Sequence, residues 1–185
     1  MISPFLLPPK KSLIPLVYVD DVNIAVEFAK RWESDGNTHI EVLLRTPQSL
    51  AATESIASKT SLVVAAGTIT SPNILRDARN AGAHLGITPG IEPEILTEAE
   101  SLDFPIIPGV LTRSEIVTAR NRGYSVLKLF PASRLGGTAY LKDLAPVFPE
   151  IEFIPSGGLT LENHQEYLDL GNVRAVAGRW MVSSL

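Results

Sequence analysis

The chain of 185 residues contains no cysteine. That absence excludes a disulfide framework, a cysteine-based zinc site, a thiol nucleophile and a CxxC redox centre in one step. Nothing in the sequence calls for an oxidising compartment. Long apolar runs are missing too: none approaches the roughly 20 residues that a membrane-spanning helix requires. Positive charge is in the minority, with 16 Lys and Arg against 20 Asp and Glu and a formal net charge of -4. A binder of nucleic-acid backbones normally shows a basic stripe, whereas the only adjacent lysines are Lys10 and Lys11, so no nucleic-acid partner is expected. Whole-chain charge leaves a small phosphorylated ligand open. The three histidines, His39, His84 and His164, lack HxH or HExxH spacing, so no metal site is expected. A GxSxG elbow is absent, which removes support for serine-hydrolase chemistry. The opening MISPFLLPPKK carries its charges after the apolar stretch and makes a poor signal peptide. A cytoplasmic protein without a membrane partner is the expectation.

What is present is an apolar, regularly alternating chain. Hydrophobic residues make up 45% of it and charged residues 19%, enough to bury a core as one domain over residues 1–185. Short β-branched runs read as strands at 13–19, 38–44, 62–68, 84–88, 105–110, 125–130, 151–156 and 173–178. Helical spacing fills the gaps. Val22, Ala25, Val26 and Ala29 follow Asp20-Asp21, Ser71-Pro72 is an N-cap followed by proline, and Thr112 to Glu115 fits a capping box. A weaker cap lies at Thr160 to Asn163. Eight strand-helix units of about 23 residues each favour an α/β fold of the (β/α)8 TIM-barrel class over a doubly wound sheet. Only Arg179 to Leu185 follow the eighth strand, too few for a full covering helix. The gap is expected to be covered by the N-terminal MISPFLLPP segment or by a neighbouring subunit.

In such a barrel, chemistry sits at the C-terminal ends of the strands, so polar residues that interrupt apolar strands are the candidates. Lys128, in Ser-Val-Leu-Lys-Leu-Phe-Pro, is the one lysine of six outside a polar or helical setting. Burial favours the neutral amine, a nucleophile able to form a Schiff base with a carbonyl substrate. A lysine paired with a carboxylate for structural reasons, or snorkelling outward, explains the same pattern. In Thr38 to Thr46, a period of two puts His39, Glu41, Leu43 and Arg45 on one face, and Ile40, Val42 and Leu44 on the other. Glu41 then points inward and Arg45 lies at the rim, about 13 Å further along. A buried carboxylate shuttles protons, and an arginine fork holds a substrate carboxylate. A structural ion pair is the alternative for Glu41. Pro155-Ser156-Gly157-Gly158 after strand seven and Ala177-Gly178-Arg179-Trp180 after strand eight fall where phosphate-binding barrels expose backbone amides.

The ordered set Glu41-Val-Leu-Leu-Arg45-Thr46, Ala66-Gly67-Thr68, Ile87-Thr88-Pro89-Gly90, Ile107-Pro108-Gly109, Lys128-Leu-Phe130-Pro131-Ala132 and Pro155-Ser156-Gly157-Gly158 resembles the 2-keto-3-deoxy-6-phosphogluconate (KDPG) and 4-hydroxy-2-oxoglutarate aldolases. The resemblance runs along nearly the whole chain. It implies a metal-independent class I lyase without a cofactor, usually a homotrimer, that cleaves KDPG to pyruvate and glyceraldehyde 3-phosphate. By the same resemblance, Lys128 is the Schiff-base lysine and Glu41 the general acid and base. Arg45 and Thr68 bind the pyruvate carboxylate, Pro89 and Phe130 shape the pocket, and Ser156 contacts substrate. Gly157, Gly158, Gly178 and Arg179 correspond to the phosphate loop. Arg179 stands where the family usually has serine, and Leu43 replaces a common threonine. Other readings of the same residues are a related pyruvate lyase, acting on 4-hydroxy-2-oxoglutarate or oxaloacetate, and a non-catalytic sugar-phosphate-binding barrel.

Overall fold

A computed structural model describes residues 2–182. Its elements alternate as the sequence pattern indicates. They run β1 (Ser12–Tyr18), α1 (Val22–Ser34), β2 (His39–Leu43), α2 (Ser49–Lys59), β3 (Val63–Gly67), α3 (Pro72–Asn80), β4 (Leu85–Ile87) and α4 (Pro93–Ser101). Then come β5 (Ile106–Ile107), β6 (Gly109–Val110), α5 (Arg113–Asn121), β7 (Val126–Leu129), α6 (Gly137–Leu144), β8 (Glu152–Pro155), α7 (His164–Leu168) and β9 (Ala175–Gly178).

All pairings are parallel. One curled sheet has the order β5-β4-β3-β2-β1-β9, and a second has β6-β7-β8. Single parallel bridges, Phe153 to Val173 and Ser156 to Ala177, join the β8 segment to the β9 segment. The run expected as one strand at 105–110 is two, because Pro108 has no N–H to donate. Its carbonyl still accepts from the Lys128 N–H at 2.9 Å, which carries the chain from its pairing with β4 to its pairing with β7.

The period of two divides the strands into two faces. Ile14, Leu16, Leu43, Ala65, Leu85, Ile87, Ile107, Val126, Ile154, Ala175 and Ala177 form an inner cluster. On the outer face, Ile40 and Val42 pack with Ala25, Val26 and Ala29 of α1 and Ala52 and Ile56 of α2. Leu127, Leu129 and Phe153 pack with Leu141 and Leu144 of α6. Each fully buried aliphatic side chain contributes roughly 1.5–3 kcal/mol, so this two-sided burial is what fixes strand register.

Helix starts follow their caps. Asp21 accepts from the N–H groups of Asn23 and Ile24, and Ser71 accepts from Ile74 with Pro72 in the first turn. Both reciprocal bonds of the Thr112–Glu115 capping box are present. The weaker cap takes another form: Asn163 Oδ1 accepts from the Thr160 N–H at 2.8 Å, and α7 starts only at His164.

Of the two covers expected beside the eighth strand, the N-terminal segment or a neighbouring subunit, the described N-terminal residues take another place. Ile2, Leu6 and Leu7 pack instead against the inner cluster, at the end where the strands begin. His39 Nε2 lies 3.3 Å from the Leu6 carbonyl, and Arg174 Nε donates to the Pro8 carbonyl at 2.8 Å, strapping the segment across that end. The physical reason is that strand side chains there leave apolar surface open to water, and the segment supplies three apolar residues to close it. After β9 the described residues form no α-helix, only a 3-10 turn, Trp180–Val182, whose Val182 packs with Val17, Val19 and α1. Residues 183–185 lie outside the described part.

Candidate active site

Glu41 and Lys128 project inward from β2 and β7. Lys128 Nζ donates to Glu41 Oε1 at 2.7 Å, with side-chain exposures of 8% and 1%. A lone ammonium or carboxylate buried this deeply costs several kcal/mol, and pairing the two offsets that cost. Gly67 makes the arrangement possible. Glu41 Oε1 fills the position that a β-carbon on Gly67 would take. Lys128 Nζ also lies 5.9 Å from the centroid of the Phe130 ring, at the outer limit of a cation–π contact.

Above this pair, Arg45 Nε donates to Thr68 Oγ1 at 2.8 Å. Thr68 has φ of +68°, a left-handed conformation rarely adopted by a β-branched residue. The turn that ends β3 therefore aims its hydroxyl at the arginine, at a conformational cost of roughly 1–3 kcal/mol. Ser156, 1% exposed, has a hydroxyl with no hydrogen-bond partner among the described residues. Such an orphan costs about 1–3 kcal/mol until a partner reaches it.

A cavity of about 160 Å³ opens over these groups. It brings together Arg45, Thr68, Pro89, Lys128, Phe130, Ser156, Gly157, Gly158, Gly178 and Arg179, with Glu41 directly behind Lys128. Gly157 and Gly158 have φ of +88° and +79°, so their chain reversal requires glycine. The Trp180 ring covers Gly178, in space that any β-carbon there would need.

Four wall residues were not among the sequence candidates: Leu16, Leu43, Leu159 and Trp180. Leu43 shares the inward face of β2 with Glu41 and Arg45 by the period of two. Leu16 carried a readable signal, since alternation along β1 places it on the inner face with Ile14. Trp180 carried none, because its position depends on how the chain leaves β9. His164, the half-buried first residue of α7, meets the Trp180 ring with centroids 5.7 Å apart. Among the described residues, no group of three or more His, Asp or Glu converges as metal ligands, and no helix is long and apolar enough to cross a membrane.

A buried amine–carboxylate pair below an arginine, toward the C-terminal ends of parallel strands, is a donor set that can attack a carbonyl and move a proton beside it. Comparison with known proteins gives the family. The chain belongs to the KDPG and KHG aldolases, whose family model matches residues 9–185. The 2-dehydro-3-deoxy-phosphogluconate aldolase of Pseudomonas aeruginosa is 37% identical over 171 residues, 92% of this chain and 78% of the relative. The KDPG aldolase of Legionella pneumophila, solved with pyruvate captured at low pH as a covalent carbinolamine intermediate, superposes with a TM-score of 0.90 at 35% identity. That match covers 97% of this chain and 86% of the other. The 2-keto-3-deoxy-6-phosphogluconate aldolase of Zymomonas mobilis ZM4, solved with 3-phosphoglycerate, gives a TM-score of 0.88 at 30% identity, covering 95% and 83%.

Proposed function

We propose that this chain is a class I, metal-independent aldolase that cleaves 2-keto-3-deoxy-6-phosphogluconate to pyruvate and glyceraldehyde 3-phosphate. The observation that carries the reading is the buried Lys128–Glu41 pair at 2.7 Å inside the cavity. Proton transfer within the pair yields a neutral amine, and Lys128 Nζ attacks the C2 ketone. The carbinolamine loses water to an iminium, with Glu41 carrying the proton. Electrons of the C3–C4 bond move into the iminium as Glu41, directly or through a water, takes the C4 hydroxyl proton. The aldehyde departs, the remaining enamine is protonated at C3, and hydrolysis releases pyruvate and the free lysine. The protonated imine serves as the electron sink, so no metal enters the scheme.

The other roles follow from position. Arg45, held by Thr68, takes the substrate carboxylate, and the unpartnered hydroxyl of Ser156 receives a hydrogen bond partner from substrate. Pro89 and Phe130 shape the walls. Gly157, Gly158, Gly178 and Arg179 form the corner for the phosphate end; the 3-phosphoglycerate bound by the Zymomonas relative supports a phosphate-accepting site. We read the two sheets as one eight-stranded (β/α)8 barrel, Pro108 bridging one seam and the two parallel bridges the other. A homotrimer is the proposed assembly, as membership of the family implies.

The test is pyruvate release from KDPG, with and without EDTA. Wild type is expected to turn over equally in both, and Lys128→Ala to lose at least about 10⁴-fold. Turnover by Lys128→Ala at the wild-type rate would contradict the assignment.

A further inference from the structure

Arg45 is exposed and its side chain is held by a single bond to Thr68, so where its guanidinium stands depends on the main chain beneath it. The Leu44 N–H donates to the Gly67 carbonyl at 3.0 Å and continues the ladder between β2 and β3 by one residue. The ladder then stops. The Arg45 N–H turns back to the Leu43 carbonyl at 2.8 Å, a tight turn that takes the chain off the sheet and into α2.

Ser49 and Thr46 clamp this turn. Ser49 is the first residue of α2 and is fully buried, and among the described residues its hydroxyl contacts only the turn. Ser49 Oγ donates to the Leu43 carbonyl at 2.9 Å and accepts from the Thr46 N–H at 3.1 Å. Thr46 Oγ1 donates to the Val19 carbonyl just beyond β1, at 2.5 Å, and lies 2.9 Å from Ser49 Oγ. The Leu43 carbonyl thus holds the Arg45 N–H and the Ser49 hydroxyl together, while Thr46 is tied at both its N–H and its hydroxyl. The chain on either side of Arg45 is fixed to β1, β2 and α2 at once. A buried hydroxyl is costly without a partner, which keeps such a network closed. Neither Ser49 nor Thr46 lines the cavity, so neither meets substrate.

We propose that Ser49 and Thr46 are positioning residues for substrate recognition: by fixing the main chain before and after Arg45, they hold its guanidinium at the rim where the carboxylate of a 2-oxo acid meets it. Both act through Arg45. The proposal rests on the aldolase reading of the site, with Arg45 as its carboxylate binder.

The experiment follows borohydride trapping at Lys128, by peptide mass spectrometry, against the concentration of pyruvate and, separately, of acetone, a ketone without a carboxylate. It uses wild type, Ser49→Ala, Thr46→Val, Thr46→Ser, Arg45→Gln and Arg45→Gln/Ser49→Ala, each checked for folding by circular dichroism. In Ser49→Ala and in Thr46→Val the half-saturating pyruvate concentration is expected to rise by about threefold to tenfold, with the maximal rate within about twofold of wild type. Thr46→Ser keeps the hydroxyl and matches wild type. Trapping of acetone is unchanged in all three, because it offers Arg45 nothing to hold. Once Arg45→Gln is in place, Ser49→Ala has no further effect on pyruvate. An equal fall for pyruvate and acetone overturns the proposal, since a merely structural role loosens the lysine for both. So does an unaltered half-saturation in Ser49→Ala, or an effect of Ser49→Ala that persists in full without Arg45. If wild type traps pyruvate, those results refute the clamp alone; if wild type traps none, the aldolase reading falls and the proposal with it.

Discussion

Glu41 and Gly67 share one space: the carboxylate oxygen that receives the Lys128 ammonium occupies the site of the β-carbon that Gly67 lacks. The pairing of β2 with β3 sets this contact, since Glu41 lies opposite Ala65 and the alternate position Gly67 closes over the side chain. A methyl at position 67 must push the carboxylate away from Lys128. Gly67→Ala is therefore expected to lower kcat for aldol cleavage by about tenfold to a hundredfold, a typical share for positioned acid–base catalysis. Steady-state kinetics with a folded-state check by circular dichroism reads the effect, and an unchanged kcat would show that the contact is irrelevant to catalysis.

The buried ion pair has its own stability signature. Removing one member strands the other charge, so Lys128→Met is expected to cost about 3–5 kcal/mol. In Lys128→Met/Glu41→Leu no charge is left behind, and the loss should be smaller than the sum of the two single losses by at least about 1 kcal/mol. Denaturant unfolding of all four proteins measures the coupling. Strict additivity would mean that the two side chains are not energetically coupled.

Thr68 couples strain to binding. At φ of +68° glycine is relaxed and threonine is not, so Thr68→Gly should raise stability by about 1 kcal/mol. The same change removes the acceptor of Arg45 Nε and should raise KM for the 2-oxo acid several-fold. Chemical denaturation and kinetics on one variant test both halves. A loss of stability, or a KM equal to wild type, would contradict this account of the turn.

Acid should loosen the N-terminal strap. Burial pushes the His39 imidazole below its usual value and outweighs the opposite pull of the Leu6 carbonyl, with the charge of Arg174 and the neighbouring His84 adding to the lowering. The folded state thus prefers the neutral ring. The stability this contributes is complete above about pH 6.5 and is lost as pH falls through the lower folded value. Thermal unfolding from about pH 8 to pH 5 should show wild type losing stability faster than His39→Gln. Parallel profiles would mean that the histidine is not the titrating group.

Much of the site was legible before the fold, for a physical reason. A strand alternates its faces, so a lysine inside Val-Leu-Lys-Leu and a glutamate two residues from His39 are placed inward by local pattern alone. The ordered glycine turns after the last two strands then located the mouth. What stayed hidden depends on contacts between distant segments. The division at Pro108 rested on a rule available in the sequence, that a proline cannot donate to a ladder. The inward packing of Ile2, Leu6 and Leu7 did not, because an apolar terminus has no periodicity to say which surface it closes. The Tyr18–Arg179 contact joins residues at opposite ends of the chain, brought together by the pairing of β1 with β9.

Everything proposed for this site depends on the Lys128 amine, held by Glu41, forming a covalent bond with a 2-oxo acid. Borohydride reduction of the wild-type protein in the presence of pyruvate, followed by peptide mass spectrometry, tests it most directly. One stable adduct is expected, on Lys128, dependent on both pyruvate and reductant and absent in Lys128→Ala. Absence of an adduct, or modification at another lysine with Lys128 untouched, would contradict it.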